Sequence, residues 1–127
     1  WQAVDALAAL RDIEAIPKLI DLLREDDAEL EKHLLAGLVS LSCTDLGRSH
    51  KKWSAWWDRN RNRHRIEWLI DGLLHGDEAI REAAGDELKR LTQEYYGYHA
   101  GSTKRDRERI AGRYRDWWER EGASRFA

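Results

Sequence analysis

Ala15-Ile16-Pro17-Lys18-Leu19-Ile20-Asp21-Leu22-Leu23 is the stretch that decides the fold. Its apolar residues Leu19, Ile20, Leu22 and Leu23 follow a proline, and proline is tolerated in the first turn of a helix, where its missing N–H has no partner to lose. The stretch therefore predicts a helix that begins near Pro17. Asp27 stands where it can cap a second helix. Leu30, Leu34, Leu38 and Leu41 then recur at three- and four-residue steps, the period of one helix face.

The pattern returns at an offset of 50 residues. Leu19-Ile20 answers to Leu69-Ile70, Leu23 to Leu73, Asp27 to Asp77, Leu30 to Ile80, Leu38 and Leu41 to Leu88 and Leu91, and Gly47 to Gly97. In this second copy Ile66, Leu69, Ile70, Leu73 and Leu74 form one stripe, Gly76-Asp77 breaks and restarts the chain, and Ile80, Ala83, Ala84, Leu88 and Leu91 form the next. The small residues Ala83, Ala84 and Gly85 would let that helix approach a neighbour closely. An earlier partial copy is visible in Ala3–Leu10, with Leu7 lying 31 residues before Leu38. No stretch alternates with period two, so no sheet is expected. The division read from these matches is residues 1–11 as the end of a preceding unit, 12–62 as one full unit and 63–127 as the next.

Beyond Gly97 the second copy is longer by 11 residues, and then the register resumes. Trp53, Trp56 and Trp57 answer to Tyr114, Trp117 and Trp118. Each set falls at i, i+3 and i+4, one face of a helix, with Ile110 extending the second set. Ser49 and Thr103 are suited to cap these helices, the latter with Asp106 three residues on. We read the rings as core, because large aromatics at helix-face spacing pack. Their recurrence at equivalent positions reports an architecture rather than a unique site.

The residues from Ala15-Ile16-Pro17 through Leu23, followed by Asp27 and an Ala/Leu-rich second helix, resemble the bacterial HEAT-repeat pattern. Ile66–Leu91 resembles it too, with Glu67 in place of the proline. Leu91-Thr92, Tyr96-Gly97-Tyr98 and a downstream Trp-Trp helix are similar to a subset of HEAT-like proteins of unassigned role that carry an extra tryptophan helix between pairs. The resemblance implies an all-α fold, an α-solenoid of antiparallel helix pairs with about seven helices. It implies no common active site, because such arrays share stacking chemistry and not a catalytic centre.

Composition narrows the rest. The chain has 127 residues, one proline, one cysteine and no methionine, with a formal net charge of −2. The missing methionine suggests a piece of a longer protein. No apolar run approaches the ~20 residues that cross a bilayer, and no signal peptide is legible at the start. Cys43 alone cannot form an internal disulfide; it suits a buried position and fits a reducing compartment such as the cytoplasm. His33, His50, His64, His75 and His99 show no zinc-like spacing with it or with one another, so no metal or cofactor is expected. No phosphate loop, nucleophile elbow or His-Glu-x-x-His motif occurs.

Charge is distributed in blocks: residues 1–47 hold four basic and ten acidic side chains, while residues 48–65 hold seven basic and one acidic. Lys51, Lys52, Arg59, Arg61, Arg63 and Arg65 are therefore the candidate binding residues, for an anion or a nucleic acid. The competing reading pairs them with acidic helices on either side, or with a helix C-terminus. The function expected is a non-catalytic scaffold that binds a protein partner or the remainder of its own longer chain. The alternative is a nucleic-acid-binding module similar to the HEAT-like DNA glycosylases, for which Trp57-Asp58-Arg59 supplies suitable residue types. A tetrapyrrole-handling role, known among HEAT-like lyases, has no specific support in these residues.

Overall fold

The computed structural model describes residues 2–126, and every described element is helical or a turn. The chain divides into two compact units between His64 and Arg65.

The first unit holds α1 (Gln2–Ala9), a 3-10 turn (Ile13–Ala15), α2 (Ile16–Leu22), α3 (Ala28–Ser42) and α4 (His50–Asn60). Pro17 sits in the first turn of α2. Asp12 caps the 3-10 turn by accepting from the Glu14 N–H. α3 packs on both α1 and α2, and α4 packs on α2. The core is Val4, Ile16, Leu19, Ile20, Leu34, Leu38 and Leu41 together with Trp53 and Trp56.

The second unit holds α5 (Arg65–Gly72), α6 (Glu78–Thr92) and α7 (Lys104–Trp117). A π-helical turn (Trp118–Gly122) and a last helical turn (Ala123–Arg125) follow. α5 packs on both α6 and α7. Ile66, Trp68, Leu69, Ile70, Leu73, Leu88, Ile110, Tyr114 and Trp117 are buried.

The repeat extends to individual hydrogen bonds. α3 and α6 each span 15 residues, at the offset of 50 at both ends. Asp27 accepts from the Glu29 and Leu30 N–H groups; Asp77 accepts from those of Ala79 and Ile80. These bonds satisfy donors that a helix start leaves without an intrahelical partner. At the other end the chain turns left-handed at Cys43 (φ 57°) and at Gln93 (φ 62°). The Ser42 hydroxyl donates to the Leu38 carbonyl and the Thr92 hydroxyl to the Leu88 carbonyl, each at 2.6 Å. Each hydroxyl also accepts from the N–H two residues on, that of Thr44 or Glu94. Gly47 and Gly97 then take positive φ, a conformation open to glycine at little cost.

One feature belongs to the second unit alone. Arg65 donates to both carboxylate oxygens of Glu87, at 2.5 and 3.3 Å, with both side chains buried. The equivalent positions in the first unit are Ala15 and Gly37, which can form no such pair. A two-point guanidinium–carboxylate contact fixes the register of α5 against α6 as well as their attraction.

Candidate functional site

The packing of the aromatic helices decides which side chains remain for a partner. Ser49 caps α4 by accepting from the Lys52 N–H. Trp53 is fully buried and its indole N–H donates to the Gly47 carbonyl at 2.8 Å. Trp56 is buried edge-on to it, ring centroids 6.0 Å apart, and Trp57 is half-buried. Thr103 caps α7 by accepting from the Asp106 N–H. Tyr114 is buried and its hydroxyl donates to the Glu94 carbonyl at 2.9 Å. Burial pushes the Tyr114 pKa up to about 12. Trp117 is fully buried; Trp118 is half-buried and its indole N–H donates to Glu67 at 2.8 Å. Glu67, which stands where the first copy has Pro17, thus holds the aromatic helix of its own unit.

The extra 11 residues of the second copy divide into two parts. Gly47 to Ser49 is two residues and Gly97 to Thr103 is six, so four belong to the loop. Ser49 to Trp53 is four and Thr103 to Tyr114 is eleven, so seven belong to the helix. Seven residues are close to two whole helical turns, about 20° short of them. The insertion therefore lengthens α7 without rotating its aromatic face away from α5.

The candidate binding residues do not share one environment. Lys51, Lys52, Arg59 and Arg61 are exposed, and none has an ion-pair partner among the described residues. Arg63 is half-buried and donates to Asn60, whose own amide donates to the Trp56 carbonyl. Arg65 is buried against Glu87 in the second unit, so its charge faces a protein carboxylate rather than solvent. Beside the run, Arg48 pairs with Glu31 at 2.6 Å and His50 reaches Asp21 at 3.4 Å. Pairing with acidic helices thus accounts for Arg48 and Arg65, and not for Lys51, Lys52, Arg59 or Arg61.

A groove that the sequence reading did not single out lies within the second unit. α6 lines it with Glu78, Glu82, Asp86 and Lys89, and the loop before α7 lines it with Tyr95, Tyr98 and His99; its volume is about 250 Å³. The loop is anchored at several points. Buried Arg81 donates to the carbonyls of His75, Gly76 and Ala100, which ties the α5–α6 turn to it. Tyr98 donates to the Leu73 carbonyl at 2.7 Å, and Arg107 donates to the Ser102 carbonyl at 2.5 Å. Tyr96 packs edge-on to Tyr114 at 4.8 Å, under the Arg113 guanidinium. Gly85 lets the Tyr98 ring lie on α6: a Cβ there would meet the ring at 2.7 Å.

Glu78, Glu82 and Asp86 are exposed at i, i+4 and i+8, with no ion-pair partner among the described residues. Like charges at this spacing each cost a helix about 0.2–0.5 kcal/mol. Lys89 leans over the Tyr95 ring, 4.5 Å from its centroid, rather than toward these carboxylates. The spacing of Glu78, Glu82 and Asp86 was readable in the sequence; that the longer loop would wall the same face was not.

Among the described residues no three His, Cys, Asp or Glu side chains gather as a metal site would require. No described helix is long and apolar enough to cross a membrane. No family model matches the chain, and neither a curated protein nor a solved structure shows significant similarity to it.

Proposed function

We propose that the chain is an α-solenoid of HEAT-like antiparallel helix pairs, each followed by an aromatic third helix, and that it works as a non-catalytic protein-binding scaffold. The observation that carries this reading is the burial of Trp53, Trp56, Tyr114 and Trp117 within their own units. Rings spent on packing are not free to stack on nucleobases, which single-strand binding requires beside its cations. Left exposed without ion-pair partners among the described residues are Lys51, Lys52, Arg59 and Arg61 on one segment and Glu78, Glu82 and Asp86 on another, a character suited to protein partners. The solenoid reading is supported by the packing of α3 both on α2, its own first helix, and on α1, the second-position helix of the earlier partial copy.

Nucleic-acid binding is the second reading, favoured by one specific observation, the exposed and unpaired Lys51, Lys52, Arg59 and Arg61. Titration of labelled duplex and single-stranded DNA at several salt concentrations separates the two. The scaffold reading expects weak or no binding at physiological salt. If those four cations neutralise four phosphates, the log–log salt slope on duplex DNA should be about −3 to −4. Micromolar binding with that slope, lost in the Arg59→Glu, Arg61→Glu variant with helicity intact, would replace the scaffold reading by the second.

A further inference from the structure

Two unpartnered helix faces on this chain carry an excess of opposite charge at matching pitch, cations on α4 beside exposed Asp58 and carboxylates on α6 beside exposed Lys89. On α4, Lys51, Lys52 and Arg59 are exposed, and Lys51 and Arg59 lie eight residues apart with exposed Ala55 between them. On α6, Glu78 and Asp86 also lie eight residues apart, with Glu82 between them. Eight residues of α-helix span about 12 Å, so the two lines have the same length. None of these six side chains has an ion-pair partner among the described residues.

We propose that the α4 line of one copy docks against the α6 line of a second copy. The groove beside α6 favours such an occupant over bulk ions. Its wall of Tyr95 and Tyr98 offers ring surface to the alkyl stems of lysine and arginine, which pack on apolar surface while their heads stay at the carboxylates. The anchored loop means that the wall is formed before the partner arrives, which lowers the ordering cost of docking. The small side chain of Ala55 leaves the middle of the cationic line low enough for two helices to approach. The two surfaces differ, so the contact pairs an α4 line with an α6 line rather than either with its own kind. Exposed ion pairs are individually weak and screened by salt, so the association is weak and salt-sensitive.

This inference rests on the scaffold reading in one respect: it assigns the α4 cations to protein and not to nucleic acid. The DNA titration above tests that assignment separately from the outcome here.

Sedimentation velocity of the 127-residue chain, at rising concentration in low and high salt, is the test. Association at low salt is expected, weakened about tenfold or more when the Debye length falls from ~10 Å to ~3 Å. The Lys51→Glu, Lys52→Glu, Arg59→Glu variant and the Glu82→Lys, Asp86→Lys variant should each be monomeric alone and should associate when mixed in equal amounts. Glu78 is left unchanged because a cation in the first turn of α6 would oppose the helix dipole. If charge reversal lowers helicity, Lys51→Gln, Lys52→Gln, Arg59→Gln keeps long polar side chains and should weaken association of otherwise normal chains. A wild-type chain that stays monomeric, association indifferent to salt or to these substitutions, or two monomeric variants that do not complement each other would each overturn the proposal.

Discussion

The Arg65 guanidinium and the Glu87 carboxylate meet at two points inside the second unit, 2.5 and 3.3 Å apart, at positions where the first unit has Ala15 and Gly37. Removing one partner leaves the other charge buried, at a cost of about 3–5 kcal/mol. Arg65→Met and Glu87→Gln should each lose stability on that scale in denaturant unfolding. The double variant Arg65→Met, Glu87→Leu should lose clearly less than the sum, because neither buried charge remains. Additive losses would show that the two side chains act independently.

The close approach of the last turn to the aromatic helix depends on Gly122. A Cβ at this position would meet the Trp117 ring at 2.7 Å and the Trp118 ring at 2.9 Å, closer than real side chains approach. Gly122→Ala must therefore displace rings that are packed, at about 1–3 kcal/mol. The near-UV signal of the tryptophans should change with it. Gly112→Ala, with nothing within 4 Å of the added carbon, is the control. Inside helix α7 that change should stabilise by up to about 1 kcal/mol.

Tyr114 ties stability to alkaline pH. Its hydroxyl is buried and its pKa is raised from 10.0 to about 12, first by desolvation and then by Tyr96, Tyr95 and Glu94. The unfolded chain gives up this proton near pH 10 while the folded chain keeps it, so unfolding releases a proton between pH 10 and 12. Stability is thus full below pH 10 and falls as pH rises toward 12. Tyr114→Phe should remove this contribution to the alkaline slope and also lose about 1 kcal/mol at neutral pH, from the bond to the Glu94 carbonyl. An unchanged slope between pH 10 and 12 would show that the hydroxyl is hydrated in solution.

The left-handed cap at Gln93 offers a stabilising change. Its φ is 62° and its side chain is exposed, with one hydrogen bond to the Arg90 carbonyl. Glycine adopts this conformation without the Cβ clash. Gln93→Gly should stabilise by about 0.5–1 kcal/mol, the relief being partly offset by greater freedom in the unfolded chain. A lower melting temperature would mean that the side-chain bond outweighs the strain.

Much of the local architecture was legible because it rests on short-range rules. Pro17 marked a helix start, Asp27 and Asp77 marked caps, and the leucine steps marked faces buried at Leu34, Leu38, Leu41 and Leu88, although Leu91 at the end of its stripe is exposed. The spacing of Trp53, Trp56 and Trp57 was enough to place them on one face, and the first two are buried. What was not legible depends on contacts far apart in sequence. Arg65 read as part of a basic run, and only its distance to Glu87, 22 residues on, distinguishes it from exposed Arg61. Trp68 is buried although it stands off the stripe of Ile66, Leu69, Ile70 and Leu73. The groove was missed because its loop wall depends on Arg81 gathering three carbonyls from two separate turns.

The most direct test of the account is the stability of Trp117→Ala beside Trp118→Ala. The central claim is that the aromatic face of α7 is core. Trp117 is fully buried, whereas Trp118 is half-buried and holds Glu67 through its indole N–H. Chemical unfolding followed by far-UV circular dichroism should show a loss of about 3–5 kcal/mol for Trp117→Ala and a smaller loss for Trp118→Ala. Trp117→Ala with wild-type stability would contradict the account, because the ring would then lie at the surface and be open to a ligand.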